Sequence, residues 1–243
     1  MSPLLAALGL SLLGSLGGLL VASTLLLFPD TVRTRLVPWL VSYAVGALLG
    51  VALLALLPEA LGVLPSTRVF EAVLAGILLF FVLEKLVLWR HCHTDECEVH
   101  GTAASMVLIG DAFHNFVDGM MIGSAVLTSL PLGVSTALAV AAHEVPQEVG
   151  DFAVLLHAGY SRRRAMLLNV LSGASGIAGA LLAVLLVNVA PVAKPYLLCI
   201  AAASFLYVAM ADLIPDLHSG RIDGSAFRQL LLVGLGIATA MVL

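Results

Sequence analysis

Long apolar stretches alternate with short polar ones along the whole chain. Each apolar stretch is close to the roughly 20 residues that an α-helix needs to cross a bilayer, and the connections hold the Pro, Asp and Arg residues expected at water. The fold class that this pattern predicts is an all-α membrane protein, with a single transmembrane domain over residues 1–243. The eight predicted membrane-spanning helices lie at approximately residues 4–28, 37–61, 69–89, 102–127, 133–158, 164–190, 195–217 and 227–243.

The composition indicates that most of the protein surface contacts lipid. Of the 243 residues, 61% are hydrophobic and 11% are charged, and the mean hydropathy is +1.11. Soluble domains carry about a quarter charged residues, and a soluble fold of this size could not bury so many apolar side chains. With a net charge of −4 and no basic tract, the chain is not expected to bind nucleic acid.

The basic residues indicate the direction in which the helices cross. Nine Lys and Arg residues fall in or beside the odd-numbered connections, whereas only Arg68 and Lys194 fall in the even-numbered ones. Cytoplasmic loops are enriched in basic residues. We therefore expect a multi-pass protein of the plasma (inner) membrane with both termini outside the cytoplasm.

A weak internal repeat is visible in the second and seventh spans. The second ends with Leu57-Pro58-Glu59 and the seventh with Ile214-Pro215-Asp216, and the two spans cross the membrane in opposite senses. Such a pattern is typical of an inverted repeat in a transporter. It predicts a 3+2+3 arrangement, with three helices on each side of a central pair.

Ionisable and amide side chains cluster near the middle of this central pair, the fourth and fifth spans. A charged side chain at the bilayer centre costs about 2.5–3.5 kcal/mol. The five carboxylates must therefore be neutralised by protons, by a metal ion or by a water-filled cavity. The residues concerned are Asp111, His114, Asn115, Asp118, His143, Glu144, Gln147, Glu148 and Asp151.

Their spacing favours a metal ion. His114 and Asp118 are four residues apart and share a helix face, and pairs with the same spacing begin at His143 and Glu144. Two antiparallel helices with such faces can bring imidazole nitrogens and carboxylate oxygens to one point. Mixed nitrogen and oxygen ligation suits Zn²⁺, and also Fe²⁺, Mn²⁺ and Co²⁺.

The two motifs resemble those of the ZIP (Zrt/Irt-like) family of divalent metal transporters, which we expect to be of the bacterial type. His-Asn-Phe-Val-Asp-Gly at 114–119 is similar to the fourth-helix motif of that family, and His-Glu-Val-Pro-Gln-Glu-Val-Gly-Asp at 143–151 to its fifth-helix motif. The resemblance implies a transporter and not an enzyme. It implies uptake of Zn²⁺, and also of Fe²⁺, Mn²⁺ or Cd²⁺, into the cytoplasm, and a possible homodimer.

The resemblance also implies the ligands of the transported ion. The primary site would consist of His114, Asp118, His143 and Gln147, and an adjacent second site would be lined by Asn115, Glu144 and Glu148. Family members commonly have His at the position of Gln147, and some bacterial relatives have Glu where this chain has Gly176. Because an amide is a weak ligand and Gly supplies none, we expect one well-formed site and a second that is weak or absent.

The connection after the third span, at about residues 90–101, is expected to be cytoplasmic and is a second candidate metal site. His and Cys side chains this close together can bind a borderline cation that leaves the pore. A flexible polar loop without an ordered site is the alternative. The possible ligands are His91, Cys92, His93, Cys97 and His100.

Two other functions compete with transport by a carrier. One is an intramembrane metal-dependent hydrolase, because His143-Glu144 begins like the His-Glu-x-x-His zinc protease pattern. Gln147 takes the place of the second histidine, however, and Pro146 disturbs the helix that the pattern requires. The other is a proton or cation channel, which would use the same ligands and stays open at this point.

Overall fold

The structure, a computed structural model, describes residues 2–89, 99–217 and 224–242. All regular structure within these ranges is helical and forms eight helices, α1 to α8, which confirms the predicted fold class. Five of them are uninterrupted: α1 (Pro3–Leu25), α3 (Ser66–Trp89), α4 (Val99–Thr128), α5 (Leu130–His157) and α8 (Gly224–Val242).

The other three helices contain irregular segments. The π-helical segment Ala52–Leu56 separates Asp30–Val51 from Leu57–Leu61 in α2. The two parts of α6, Arg162–Gly173 and Ser175–Val189, meet at Ala174. The parts of α7 are a 3₁₀ turn (Pro191–Ala193), Lys194–Tyr207, a π-helical segment (Val208–Leu213) and Ile214–Leu217.

Several helices extend beyond the predicted spans. The apolar pattern placed the start of the second span at residue 37, whereas α2 begins at Asp30. Hydropathy marks only the part of a helix that faces hydrocarbon, while backbone hydrogen bonding continues into the polar segment beside the membrane.

Five segments of the described chain are long and apolar enough to cross a membrane by length and composition. They are Pro3–Leu25, Thr34–Leu61, Ser66–Lys85, Arg162–Val189 and Pro191–Leu213. The polar side chains of α4 and α5 lower the hydropathy of these two helices, and the apolar part of α8 is shorter. The composition of the helices thus agrees with a multi-pass membrane protein.

The helices pack as two groups. In one, α4 contacts α6 and α5 extensively and α5 packs along α1. In the other, α8 packs along α2, and α3 along α7. Contacts of α2 with α5 and of α4 with α7 join the groups. A 3+2+3 inverted repeat would place the same pairs in contact, and the repeat itself stays a prediction.

Glycines allow the closest of these contacts. A Cβ atom on Gly236 of α8 would lie 2.3 Å from the Tyr43 carbonyl oxygen and 2.6 Å from the Ala47 amide nitrogen of α2. A Cβ on Gly119 of α4 would overlap the carbonyl oxygen of Gly176 in α6. Small residues at helix interfaces let backbones approach closely in this way.

We predict that Gly236→Ala destabilises the protein, by about 1–3 kcal/mol, because its methyl group would push α8 away from α2. Gly234→Ala is the matched control, since no atom of another described helix lies within 4 Å of a Cβ at that position of α8. Thermal unfolding of the purified variants in detergent measures the difference. Equal melting temperatures would show that the contact between α2 and α8 yields without cost.

Candidate metal site

A tight connection aligns the two helices that carry the candidate ligands. Only Ser129 separates α4 from α5, and its hydroxyl oxygen accepts a hydrogen bond of 3.3 Å from the Leu132 amide at the start of α5. This N-cap satisfies one of the free amides of the first turn. The helices therefore run antiparallel and side by side, with Asp118 and His143 at similar distances from the connection.

Four side chains converge between these helices. The Nε2 atom of His143 lies 3.0 Å from His114 Nε2 and 3.1 Å from Asp118 Oδ2. The Nε2 atom of His114 lies 3.6 Å from Asp118 Oδ2 and 3.8 Å from Glu144 Oε1. Asp118, His143 and Glu144 are buried and His114 is partly buried. We call these four residues the first cluster.

The distances within the first cluster fit a tetrahedral ion. Ligand atoms about 2.1 Å from a tetrahedral Zn²⁺ are about 3.4 Å apart. The nitrogen and oxygen atoms of His114, Asp118 and His143 are separated by 3.0–3.6 Å, and Glu144 Oε1 is 3.9 Å from His143 Nε2. Two imidazoles and two carboxylates can therefore hold one divalent ion after movements of a few tenths of an ångström.

Neighbouring groups orient His143 for this role. Its Nδ1 atom lies 3.0 Å from the Ala139 carbonyl oxygen, which can only accept a hydrogen bond. Nδ1 therefore carries the proton, and the Nε2 lone pair faces the cluster, the arrangement usual for metal-binding histidines. The ring of Phe205 in α7 packs against the imidazole at 6.2 Å between centroids.

A second cluster adjoins the first and consists of Asp111, Glu144 and Glu148. One carboxylate oxygen of each lies within 4.8 Å of the others, and all three residues are buried. Oxygen ligands alone favour harder ions than the mixed first cluster does. Glu144 belongs to both clusters and connects them.

Amide side chains surround the second cluster. Asp111 Oδ1 accepts hydrogen bonds from Asn115 Nδ2 at 2.9 Å and from Gln147 Nε2 at 3.2 Å. Gln147 thus contacts Asp111 in this structure, whereas Glu144 completes the first cluster. Asn115 Oδ1 has no hydrogen-bond partner among the described residues and remains available as a ligand.

Asp111 belongs to the second cluster, although it was not among the ligands expected from the sequence. It lies three residues before His114 and seven before Asp118, so all three share one face of α4. That spacing was visible in the sequence. With Asp111 included, the second cluster has three carboxylates. The expectation that a second metal site is weak or absent stays a prediction.

Small residues of neighbouring helices close over the clusters. A Cβ on Gly18 of α1 would lie 2.6 Å from Glu144 Cβ, and one on Gly176 of α6 would lie 3.0 Å from Ser15 Oγ and 3.1 Å from Ser11 Oγ. The structure thus leaves little room at Gly176 for the Glu that some relatives have there.

A cavity of about 490 Å³ opens on the side of the bundle where α4 joins α5. Residues of α2, α5 and α8 form its walls, and Glu59 is the one charged residue among those that line it. Ser135 lies on the same wall, eight residues or about 12 Å along α5 from His143.

The possible site in the connection after α3 falls outside the part of the chain that the structure describes. This applies to the side chains of all five of its candidate ligands: His91, Cys92, His93, Cys97 and His100.

Comparison with known proteins gives a family match over most of the chain. The family model of the ZIP zinc transporters matches residues 89–243. This range includes α4 to α8 and therefore both clusters.

Several curated proteins are similar over about half of the chain. Zinc transporter ZIP4 of Homo sapiens is 43% identical over 132 residues, which are 54% of this chain and 20% of that protein. Zinc transporter ZIP6 of Homo sapiens is 40% identical over 128 residues, 52% of this chain and 17% of that protein. Metal cation symporter ZIP8 of Homo sapiens is 41% identical over 118 residues, 49% of this chain and 25% of that protein.

The matches thus span a quarter or less of the length of these relatives. All three are mammalian, so they lend no support to the expected bacterial type. Their names are those of transporters and not of enzymes, in agreement with the prediction.

We predict that Glu144→Gln weakens metal binding at both clusters, since its carboxylate belongs to both. His143→Ala should lower the metal affinity of the first cluster only, and Glu148→Gln that of the second only, each by at least about tenfold. Calorimetric titration of the purified protein with Zn²⁺ would give the number of ions and their affinities. A single binding event, abolished equally by His143→Ala and Glu148→Gln, would contradict two clusters joined at Glu144.

Proposed function

The chain belongs to the ZIP zinc transporter family, and we propose that it transports divalent transition-metal ions across the membrane. Zn²⁺ is the proposed main substrate, with Fe²⁺, Mn²⁺ or Cd²⁺ as others. The convergence of His114, Asp118, His143 and Glu144 between two central helices supports this proposal most directly. A bound cation can neutralise carboxylates near the centre of the bilayer, where a bare charge would cost several kcal/mol, about 2.5–3.5 kcal/mol for each.

The proposed ligands follow from the geometry and from the family motifs. The first cluster would hold the primary ion, with Gln147 acting through its hydrogen bond to Asp111 or as an exchanging ligand. The second cluster, together with Asn115, would hold an ion before or after the first. Glu144 would stay bound to the ion as it passes from one cluster to the other.

We propose that the ion moves into the cytoplasm. The excess of Lys and Arg in the odd-numbered connections supports a plasma-membrane protein with both termini outside the cytoplasm. The cavity beside Glu59 would then open to the outside. On the family resemblance alone we also propose a homodimer, which light scattering of the purified protein in detergent would test.

The same cavity is the proposed entrance. Its single carboxylate attracts cations, and the residues of α5 between Ser135 on its wall and His143 are apolar except for Thr136. An ion captured near Glu59 would therefore need a movement of the helices to reach the first cluster. Such a barrier distinguishes a carrier from an open channel.

We predict that His114→Ala abolishes zinc uptake, because the first cluster loses one of its two imidazoles. Uptake of Zn²⁺ into proteoliposomes containing the purified protein measures the effect, and the wild-type rate should saturate with zinc concentration. A Phe113→Ala variant on the same helix serves as control, since Phe113 is 46% exposed and belongs to neither cluster. Normal, saturable transport by correctly folded His114→Ala protein would refute the site.

We further predict that Glu59→Gln raises the zinc concentration needed for half-maximal uptake several-fold, with little change in the maximal rate. Removing one charge from the entrance lowers the local cation concentration, and the effect should shrink at high salt. Glu71→Gln is the matched control, because Glu71 lies near the start of α3, on the same side of the bundle, and pairs with Arg68 at 3.3 Å. If both variants behave alike, the cavity is not the entrance.

A further inference from the structure

A second cavity lies at the opposite side of the bundle, where α1 and α5 end and α6 begins. Its volume is about 300 Å³, which is at the lower end of the range for ligand pockets. The residues that line it are Ser23, Leu26, Leu27, Phe152, Leu156, Arg162, Arg163 and Met166.

The wall that α1 and α5 contribute is apolar in practice. Leu26, Leu27, Phe152 and Leu156 supply hydrocarbon. Ser23 is polar, but its hydroxyl donates a hydrogen bond of 2.6 Å to the Leu19 carbonyl oxygen within α1. The wall therefore requires no water or polar ligand, and an alkyl chain can cover it without leaving a polar group unpaired.

The opposite wall carries two positive charges. Arg162 and Arg163 are exposed, and neither pairs with a carboxylate among the described residues. No carboxylate lines the cavity either. Arg164, the next residue, is engaged elsewhere, since its guanidinium carbon lies 4.7 Å above the centre of the Tyr160 ring.

The cavity lies at the ends of three helices, which is the level where lipid headgroups meet the hydrocarbon of the bilayer. A cavity there with arginines on one side and hydrocarbon on the other matches a molecule with an anionic head and an alkyl chain. Guanidinium groups bind phosphate oxygens through two parallel hydrogen bonds. Basic pockets between membrane helices bind anionic headgroups for this reason.

We propose that this cavity is a binding site for an anionic phospholipid, with the phosphate held by Arg162 and Arg163 and part of one acyl chain lying along α1 and α5. The lipid would bridge α1, α5 and α6. These helices also surround the two metal clusters, and Phe152 on the cavity wall lies one turn beyond Glu148 of the second cluster.

Binding can be tested without any transport measurement, so that the result does not depend on the proposed transport function. The purified wild-type protein in detergent is titrated with dioleoyl phosphatidylglycerol, dioleoyl phosphatidylcholine, dihexanoyl phosphatidylglycerol and inorganic phosphate. Native mass spectrometry counts bound lipid, and the melting temperature reports stabilisation. We expect saturable binding and stabilisation by dioleoyl phosphatidylglycerol, and much weaker effects of the other three compounds.

The variant Arg162→Gln/Arg163→Gln should bind dioleoyl phosphatidylglycerol about thirtyfold more weakly than the wild type, which is the effect of two interfacial basic residues. Arg35→Gln/Arg164→Gln is the matched control, because it removes the same charge without touching the cavity. If both double variants bind dioleoyl phosphatidylglycerol equally weakly, the proposal is wrong, and the lipid is held by general electrostatic attraction to basic residues.

The wild-type titrations alone can also overturn the site, even if the double variant does not fold. If dioleoyl phosphatidylcholine binds as tightly as dioleoyl phosphatidylglycerol, the arginines do not recognise the anionic headgroup and the proposal is wrong. If inorganic phosphate or the short-chain lipid stabilises the protein as strongly as the long-chain lipid, the apolar wall does not bind an acyl chain and the proposal is wrong.

Discussion

Buried negative charge is the constraint on which the arrangement of the central helices depends. Asp111, Asp118, Glu144 and Glu148 are each at most 3% exposed. Left as bare charges at the centre of a bilayer, they would cost about 10 kcal/mol together. Two imidazoles and two amides lie among them, but these groups cannot balance four carboxylates. A divalent cation bound among them would offset two of the four negative charges, and protons or water would offset the rest.

The small residues around the site follow from the same constraint. Side chains that could hold an ion between α4 and α5 need neighbouring helices that pack closely enough to exclude lipid. The residues of those helices at the contact must also be small, so that they do not displace the ligand side chains. Gly18 of α1 meets this need beside Glu144, and Gly119 and Gly176 meet it where α4 crosses α6. The backbones of α1 and α6 thus lie close beside the two clusters, while the Phe205 ring of α7 packs against His143.

The sequence was sufficient to predict the helices and most of the first cluster, because both depend on periodicity. An i,i+4 pair on each of two antiparallel helices predicts that His114, Asp118 and His143 meet. It does not predict that Gln147 contacts Asp111 or that Glu144 turns toward both clusters. Those contacts depend on the rotation of α5 about its own axis, which tertiary packing determines and helix periodicity alone does not reveal.

The π-helical segments of α2 and α7 were likewise invisible to hydropathy, since their composition is that of the helix around them. Each directly precedes the repeated motif, Leu57-Pro58-Glu59 in α2 and Ile214-Pro215-Asp216 in α7. A π turn holds one residue more than an α turn, so it advances the phase of every side chain after it by about 100°. Glu59, which lines the cavity at the start of α5, comes three residues after the π-helical segment of α2. In an uninterrupted α-helix the Glu59 carboxylate would be rotated by about 100° about the helix axis and would point to a different neighbour. The π-helical segment therefore sets the direction in which this carboxylate faces.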